Sequence, residues 1–500
     1  MKKSDSKKYI NEIKKIKTHI DGFDEISRGG IPEHRSTLIA GSSGSGKTIF
    51  SIQFLVNGIN YEKENAVFIT FEENPDSICQ NMLSFNWDIK KLIDEKKFIL
   101  INASSLYDID TVGDYNLSGL VTRIEQAIKS IDAKRIVIDS LGSLLFQFNN
   151  DRIIRREVFM LADRLKEFGV TVLMTAERTK EYGDVSRYGI EEFVTDNVII
   201  LRNTLEEEKR RRTIEILKYR GAFHQKGEYP YTILPGKGVI GTALCSIDLN
   251  QAVSNERISS GSENIDKMCK GGLLKGSIVL ISGATGTGKT LLVTEFMKGG
   301  AKAGEKSILF AFEESKDQIL RNAMGWNIDY EKMQKDGLLK IIALYPETMN
   351  LEEHLIEIKR EIEEFQPSRI AIDSLSALER ICTSKSIKEF VIGLTAYIKQ
   401  KQISTMITAT APTIIGASTI TTAHISTITD TIILLRYLEY FGTVKRGMTI
   451  LKMRGSDHDK SIREFTIDEN GMNLMGPFRN VHGILTGFPR ERSNPECESL

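Results

Sequence analysis

Short apolar runs alternate with longer amphipathic stretches along both halves of the chain. The runs are rich in β-branched and aromatic residues, as in AVFIT at 66–70 and SILFA at 307–311, and such runs are typical of buried strands. The longer stretches, such as LEEHLIEIKREIEEF at 351–365, place apolar residues at helical spacing. This βαβ rhythm predicts an α/β fold, in which helices cover a mainly parallel central sheet.

The same series of segments occurs twice. GSSGSGKT at 41–48 recurs as GATGTGKT at 283–290, and FEE, IDS and K-x-R-G segments follow each copy in the same order. A shared order of this kind indicates tandem duplication. We therefore predict an N-terminal extension, a first domain, a linker, a second domain and a short tail, with the bounds 1–13, 14–241, 242–255, 256–485 and 486–500.

Composition narrows the class of protein. Lys plus Arg equals Asp plus Glu at 67 each, so no net field draws the chain toward nucleic acid or an anionic membrane. The five cysteines form no CxxC pair, which argues against a zinc site or a disulfide framework. The basic N-terminus lacks the apolar core of a signal peptide, and no apolar stretch is long enough to span a bilayer. We expect a cytoplasmic protein that binds neither membranes nor, strongly, nucleic acid.

The repeated glycine-rich segment is a P-loop motif, because in both copies it lies between an apolar strand and a helix. Its backbone amides can wrap phosphate oxygens, its lysine reaches the terminal phosphates, and its threonine holds magnesium. The motif thus predicts two sites for ATP and Mg²⁺. The expected phosphate-binding residues are Gly44, Ser45, Gly46, Lys47 and Thr48 in the first copy, and Gly286, Thr287, Gly288, Lys289 and Thr290 in the second.

Aspartates end the apolar segments RIVID and RIAID, at Asp139 and Asp373. An aspartate at a strand end is often a turn former. Its position after a P-loop in both copies favours instead the Walker-B role, in which the carboxylate helps to hold magnesium.

Paired glutamates follow another apolar strand in each copy, at Glu72 and Glu73 and at Glu313 and Glu314. A carboxylate at such a strand end can orient a water or hydroxyl toward a γ-phosphate. The alternative is an ordinary helix-capping acid.

Together these segments resemble the two-domain KaiC family of circadian clock proteins, within the RecA/DnaB P-loop superfamily. The resemblance includes ISTITDTIILL at 425–435 and covers nearly the whole chain. It implies two tandem RecA-like domains that form a double-ring homohexamer, with ATP at the subunit interfaces of both rings. The first ring would be a slow ATPase, and the second a serine/threonine autokinase and autophosphatase.

The resemblance also implies roles for single residues. Glu72 would position water in the first ring, with Glu73 beside it, and Glu313 would be the base for the attacking hydroxyl in the second, with Glu314 beside it. The expected metal ligands are Thr48, Asp139, Thr290, Glu313 and Asp373. The residues expected to contact ATP beyond the P-loops are Ser84, Lys218, Tyr219, Arg220, His224, Trp326, Arg446, Lys452, Met453, Arg454, Ser456 and Lys460.

The acceptor hydroxyls distinguish the two copies. Ser426 and Thr427 match the adjacent phosphorylated pair of the family, and Thr421 matches its auxiliary phosphate acceptor. Glu192 and Phe193 occupy the positions of Ser426 and Thr427 in the first copy. No hydroxyl is available at those two positions, so the γ-phosphate of the first ring is expected to go to water.

The resemblance further implies partners. A KaiB-type protein on the first ring and a SasA-type histidine kinase are expected. Few residues follow FRNVHGILTGFPR at 478–490, so stimulation by KaiA is expected to be reduced or absent. Thr422 stands where the family has an aspartate that contacts the auxiliary threonine, and Asp457 stands where it has a tryptophan. These departures concern the control of phosphorylation rather than the ATP sites.

Two other functions remain open on the sequence alone. One is a RecA- or DnaB-like ATPase that grips single-stranded DNA, which would need basic and aromatic loops that face a channel. The other is a KaiC-like signalling ATPase without rhythm. Self-sustained cycling and an hourglass response to ATP and ADP are equally compatible with these residues.

Overall fold

The computed structural model describes residues 13–103, 117–145, 151–187, 189, 191–206, 209–241, 254–411, 427–440, 442–478, 481–482 and 490–491. The chain divides into two compact units, Met1–Ser246 and Ile247–Leu500. The predicted linker at 242–255 falls mostly outside the described residues, and the exact domain bounds stay a prediction.

The first unit contains β-strands and helices in alternation. Its strands are β1 (Lys15–Ile16), β2 (Ile31–Pro32), β3 (Ser36–Gly41), β4 (Ala66–Thr70), β5 (Phe98–Asn102), β6 (Arg135–Asp139), β7 (Thr171–Glu177), β8 (Asn197–Glu206), β9 (Lys209–Tyr219), β10 (Glu228–Leu234) and β11 (Gly238–Gly241). Its helices are α1 (Phe23–Ile26), α2 (Lys47–Asn57), α3 (Pro75–Met82), α4 (Ile89–Asp94), α5 (Ser118–Ile131), α6 (Leu141–Leu145), α7 (Asp151–Glu167) and α8 (Glu191–Val194).

A nine-stranded sheet forms the centre of this unit within the described residues, in the order β11-β10-β9-β8-β3-β7-β6-β4-β5. The strands from β8 to β5 in this order run parallel, and β9, β10 and β11 continue the sheet antiparallel. Strand β3 is buried along its whole length because β7 and β8 flank it and helices cover both faces. The loop that follows β3 therefore begins from a rigid, central position.

The second unit repeats this plan. Its strands are β12 (Arg257–Ile258), β13 (Leu273–Leu274), β14 (Ile278–Gly283), β15 (Ser307–Ala311), β16 (Leu339–Ala343), β17 (Arg369–Asp373), β18 (Ser404–Thr410), β19 (Thr431–Tyr440), β20 (Thr443–Met453), β21 (Arg463–Asp468), β22 (Gly471–Pro477), β23 (Val481–His482) and β24 (Arg490–Glu491). Its helices are α9 (Glu263–Met268), α10 (Lys289–Lys302), α11 (Lys316–Met324), α12 (Tyr330–Lys335), α13 (Leu351–Phe365), α14 (Leu375–Glu379) and α15 (Ser384–Gln400).

The second sheet matches the first strand by strand. Within the described residues it has nine strands in the order β16-β15-β17-β18-β14-β19-β20-β21-β22, and β14 holds the central place that β3 holds in the first unit. The six strands from β16 to β19 in this order are parallel. The predicted α/β fold with a mainly parallel sheet in each half is confirmed.

A buried arginine anchors the helix after each P-loop to the sheet. Arg135 at the start of β6 donates from Nη1 to the carbonyl oxygen of Phe54 at 2.9 Å, and its guanidinium lies over the Phe54 ring. Arg369 at the start of β17 donates to the carbonyl oxygens of Phe296 and Ser259 at 3.2 and 2.7 Å. These bonds fix the helices α2 and α10, and hence the P-loops at their N-termini.

None of the helices in the described ranges is long and apolar enough to cross a membrane.

Candidate active sites

The first P-loop joins the end of β3 to the start of α2. Gly44 and Gly46 have φ values of 74° and 87°, in the left-handed region that favours glycine. A side chain at Gly46 would come within 2.6 Å of Ile233. Lys47 folds back over the loop and donates from Nζ to the carbonyl oxygens of Gly41 and Ser42 at 3.0 and 3.1 Å. The loop thus forms a cradle of backbone amides around a lysine at a helix N-terminus, as phosphate binding requires.

The second P-loop has the same geometry. Gly286 and Gly288 have φ values of 79° and 102°, and Lys289 donates to the carbonyl oxygens of Gly283 and Ala284 at 2.9 and 3.0 Å. Burial lowers the pKa of the Lys289 ammonium, as it lowers the pKa of the Lys47 ammonium in the first loop. A phosphate bound in either loop would supply a negative charge that stabilises the lysine ammonium.

A half-buried aspartate lies beside each P-loop threonine. Thr48 donates from Oγ1 to Oδ2 of Asp139 at 2.8 Å, and Thr175 on β7 donates to the other carboxylate oxygen. In the second unit Thr408 donates to Oδ1 of Asp373 at 2.5 Å, and a hydrogen bond from Thr290 acts to lower the pKa of Asp373. Burial nevertheless raises the pKa of both aspartates above the usual range.

This donor set fits magnesium, which prefers oxygen ligands and keeps several waters and phosphate oxygens. Within the described residues, no group of three or more His, Cys, Asp or Glu side chains could hold a metal by itself. A threonine and an aspartate that share the ion with phosphate are therefore the expected protein ligands. The ion would neutralise charge on the β- and γ-phosphates.

The paired glutamates follow β4 in the first unit and β15 in the second. Each of these strands lies next to the strand that carries the aspartate, β6 or β17. Glu72 accepts a hydrogen bond from Ser140 at 2.9 Å and another from Ser143. Burial raises the pKa of Glu73, and the charges of Asp139 and Glu72 raise it further. The first glutamate of the pair is thus held in place by hydroxyls, and the second lies near the negative charges of Asp139 and Glu72.

The second pair is held by different side chains. Glu313 accepts a hydrogen bond from Ser374 at 3.1 Å and lies 3.6 Å from the Arg380 guanidinium. Glu314 accepts a hydrogen bond from Asn322 at 3.1 Å. Burial raises the pKa of Glu314, with further raising contributions from Asp373 and Glu313 and an opposing contribution from the Asn322 hydrogen bond.

One cavity of about 670 Å³ brings together many, but not all, of the predicted residues of the first unit. Its lining includes the P-loop, Thr48, both glutamates and Asp139, and also Ser84, as the resemblance implies. A smaller cavity in the second unit is lined by Thr290, Glu313, Glu314 and Asp373.

Sequence reasoning missed several residues of these sites. Glu177 lines the first cavity, and Ser140, Thr175, Ser374 and Thr408 hold carboxylates of the two candidate sites by hydrogen bonds. The two serines belong to the repeated IDS segment, which could have drawn attention to them. The two threonines also recur, in the corresponding segments TVLMTAE at 171–177 and STMITAT at 404–410, which could have indicated them. Glu177 has no acidic equivalent in the second copy, and only the pairing of β7 with β3 brings it to the site.

The K-x-R-G segments do not lie at the P-loop of their own unit. Lys218 donates to the carbonyl oxygen of Thr195 at 2.7 Å, and Lys452 donates to that of Thr429 at 2.8 Å. Arg454 donates to the carbonyl oxygen of Thr427 at 2.7 Å. These contacts lie where β8 and β19 begin, whereas the P-loops follow the opposite ends of the neighbouring parallel strands.

The other predicted ATP contacts are spread over each unit. Tyr219 and Met453 are buried, Arg220 lies 3.8 Å from Asp196, and His224 packs edge-on against Tyr219. The remaining predicted residues are distributed as follows: Trp326 packs against the second core, Arg446 lies over the Tyr437 ring, Ser456 accepts a hydrogen bond from Arg257, and Lys460 lines a surface cleft with Lys267 and Asp457. Of the predicted phosphorylation sites, Thr427 is exposed, and Ser426 and Thr421 lie outside the described residues.

Two central-sheet P-loops, each with a half-buried aspartate and a glutamate pair on neighbouring strands, define a protein with tandem RecA-like P-loop ATPase domains. A family model described as the KaiC ATPase matches residues 16–242 and 258–477. The chain belongs to the KaiC family and carries two of its ATP-binding ATPase domains.

Curated relatives match nearly the full length. The circadian clock protein KaiC3 of Synechocystis sp. is 54% identical over 490 residues, which is 98% of this chain and 97% of that protein. The circadian clock oscillator protein KaiC of Synechococcus elongatus is 52% identical over 489 residues, or 98% of this chain and 94% of that protein. KaiC of Thermostichus vulcanus is 51% identical, with 98% and 94% covered.

Proposed function

We propose that this chain is a clock or hourglass timing protein that works as a homohexamer with Mg²⁺ and ATP. The first domain is a slow ATPase, and the second is an autokinase and autophosphatase that acts on Ser426 and Thr427. Family membership supports the two ATPase domains, and similarity to circadian clock proteins supports the timing role. The rest of the proposal depends on the position of Thr427.

Thr427 lies at the far end of the sheet from the P-loop of its own unit. The parallel pair β14 and β19 aligns Gly283 with Leu435 and Val279 with Thr431. The P-loop follows Gly283, whereas Thr427 comes four residues before Thr431. Four residues of strand span about 13 Å, so the acceptor hydroxyl is well beyond bonding distance of its own γ-phosphate site. The phosphate donor for Thr427 must therefore come from a second copy of the chain.

The surroundings of Thr427 support the same arrangement. Arg454 and Lys452 lie beside it, where β20 ends next to the start of β19. A subunit edge with an exposed hydroxyl and two cations suits a neighbour's triphosphate, in the manner of an arginine finger. In a ring, the P-loop of one subunit would face this edge of the next.

The chemistry of the transfer follows from the carboxylates. In the second domain Glu313 takes the proton of the attacking hydroxyl as the new oxygen–phosphorus bond forms. The bond between the γ-phosphorus and the bridging oxygen breaks, and ADP leaves with the electron pair. In the first domain Glu72 takes a proton from water in the same way, and inorganic phosphate is released. Phe193 and Glu192, which replace the acceptor pair, offer no hydroxyl.

The test is to incubate the full chain with magnesium and ATP and to map phosphate by mass spectrometry. We expect label on Ser426 and Thr427, and its loss in Glu313→Gln, while ATP binding is retained. Glu379→Gln, which removes a carboxylate on α14, is the control and should keep the label. Label on neither residue at any temperature would refute the kinase assignment. Transfer between subunits would be refuted if the labelling rate did not depend on protein concentration and were the same in assembled and dissociated samples.

Family membership also suggests partners. A KaiB-type protein on the first ring and a SasA-type histidine kinase are proposed, and reduced stimulation by KaiA stays a prediction. Each is tested by co-migration with the full chain in size-exclusion chromatography with ATP. The single-stranded DNA alternative would require binding that weakens steeply with salt.

A further inference from the structure

A carboxylate in the first site has a hydroxyl as its counterpart in the second. Glu177 ends β7 and pairs with Gly41, the residue before the first P-loop. Thr410 ends β18 and pairs with Gly283, the residue before the second P-loop. The next backbone amide donates to the paired glycine at 3.1 Å in both units. The two side chains therefore occupy equivalent places beside equivalent loops.

Glu177 is directed to the nucleotide site rather than to the core. Its side chain is exposed, and it lines the first cavity together with Lys47, Thr48, Glu72 and Asp139. Its charge acts on Lys47, where it opposes the effect of burial on the lysine pKa. Glu177 approaches Lys47 from β7, which flanks β3 on the side opposite to β8.

A second acidic residue near Lys47, Glu181, is engaged in hydrogen bonds with other residues. Glu181 accepts a hydrogen bond from Ser42 at 2.5 Å and another from the Asn203 amide at 3.0 Å, so it fastens the loop after β7 to the P-loop. This loop also holds Arg178, which donates to the carbonyl oxygens of Gly183 and Asp184. Glu177 is thus presented to the cavity from a backbone that is fixed on both sides.

An ionised carboxylate can only accept hydrogen bonds, whereas a threonine hydroxyl can both accept and donate. Beside a γ-phosphate, a carboxylate can accept a proton from water but repels phosphate oxygens. We propose that Glu177 is a positioning residue that reserves the first site for water, and that Thr410 in the same place leaves the second site open to a side-chain hydroxyl. This inference rests on the proposed division of the domains into ATPase and kinase.

The proposed step balances as an ordinary hydrolysis. One O–H of the attacking water points to Glu72, which takes that proton, and the other O–H donates to Glu177 and fixes the water in line. The oxygen–phosphorus bond forms, the bridging bond to ADP breaks, and ADP carries away the electron pair. Glu177 keeps its charge throughout.

The first experiment measures phosphate release by the full chain with Glu313→Gln, which removes turnover at the second site. Added Glu177→Gln should lower kcat by about tenfold or more, because an oriented water is lost, while the dissociation constant for ATP changes less than threefold. Glu177→Asp should restore part of kcat. Glu167→Gln, the same charge change on the exposed face of α7, is the matched control and should change neither quantity.

The second experiment is the reverse exchange, with Glu72→Gln to silence the first site. Thr410→Glu should raise the ratio of released phosphate to protein-bound phosphate by at least about fivefold, since water now competes with the hydroxyl. Thr410→Gln, of similar size and no charge, should leave the ratio near that of the parent.

The outcomes separate this inference from the proposed function. An active chain that keeps its first-site kcat within twofold in Glu177→Gln, or an unchanged product ratio in Thr410→Glu, overturns the inference alone. An unaltered chain that neither hydrolyses ATP nor labels itself overturns the proposed function and the inference with it.

Discussion

Glu295 is a buried acid at a position where the first unit has an amide. Gln53 on α2 donates from Nε2 to the carbonyl oxygens of Lys237 and Val239 at 3.2 Å and accepts from the Val239 amide at 2.7 Å. Glu295 on α10 accepts from the Met472 amide at 3.1 Å, and its Oε2 is buried without a hydrogen-bond partner among the described residues. Replacing Glu295 with Gln should restore the donor that the first unit has.

The loss of stability caused by the buried Glu295 carboxylate depends on pH. Burial raises the pKa of Glu295 to about 7, although the Met472 amide and Lys298 act to lower it. As pH rises above the ordinary glutamate value of about 4.5, the unfolded chain loses this proton before the folded chain does, so stability falls until the pH passes about 7. The whole interval corresponds to about 3 kcal/mol, and about 2 kcal/mol of it falls between pH 5.5 and pH 8.5.

The assay is urea unfolding of the full chain at these two pH values. The chain has two tryptophans, so in a Trp87→Phe background Trp326 reports on the second unit. Glu295→Gln should stabilise that unit, and the gain should be larger by about 2 kcal/mol at pH 8.5 than at pH 5.5.

The reverse substitution provides the control. Gln53→Glu, followed through Trp87 in a Trp326→Phe background, should lose stability in the first unit as pH rises. A gain from Glu295→Gln that is equal at both pH values, or larger at pH 5.5, would refute the argument that a buried, half-satisfied carboxylate titrates near neutrality.

Two further substitutions test other parts of the structure. Arg369→Met removes the buried guanidinium that holds α10 and leaves Glu305 without that partner. The free energy of unfolding of the second unit should fall by about 3 kcal/mol in the same urea assay, and a fall below about 1 kcal/mol would contradict the anchoring role. Arg454→Ala should lower the rate of phosphate transfer to Thr427 about 1,000-fold if this arginine acts on a neighbour's ATP, whereas Arg436→Ala, on the adjacent strand, should not; near-normal labelling of Arg454→Ala in a mass spectrum would exclude that role.

The sequence predicts that the main residues of the candidate sites lie together because they recur at strand ends in both halves. Lys47, Thr48, Asp139 and Glu72 all belong to motifs that occur twice, and in a parallel sheet the carboxyl ends of strands meet at one edge. The α/β fold followed from the same alternation of segments.

Other features depend on strand order, which the sequence does not state. Glu177 reaches the first site only because β7 lies between β3 and β6. The antiparallel pairing of β20 with β19 places Lys452 and Arg454 beside Thr427 and away from their own P-loop. Ser426 and Thr421 fall outside the described residues, so their roles stay predictions.

The two candidate sites have the same residues at their main motif positions, so a difference in chemistry would come from what surrounds them. Lysine, threonine, aspartate and both glutamates are identical in the two units, and the same buried arginine supports each P-loop helix. The differences concern the phosphate acceptor: Glu177 against Thr410 beside the γ-phosphate site, and Phe193 against Thr427 at the far edge of the sheet. In the proposed ring, the first of these differences would act within one subunit, and the second would act on the next subunit because Thr427 lies far from its own P-loop. If both are exchanged, Thr410→Glu together with Thr427→Phe should leave a second domain that releases phosphate to water, and the two changes should contribute independently because they belong to different sites of the assembled ring.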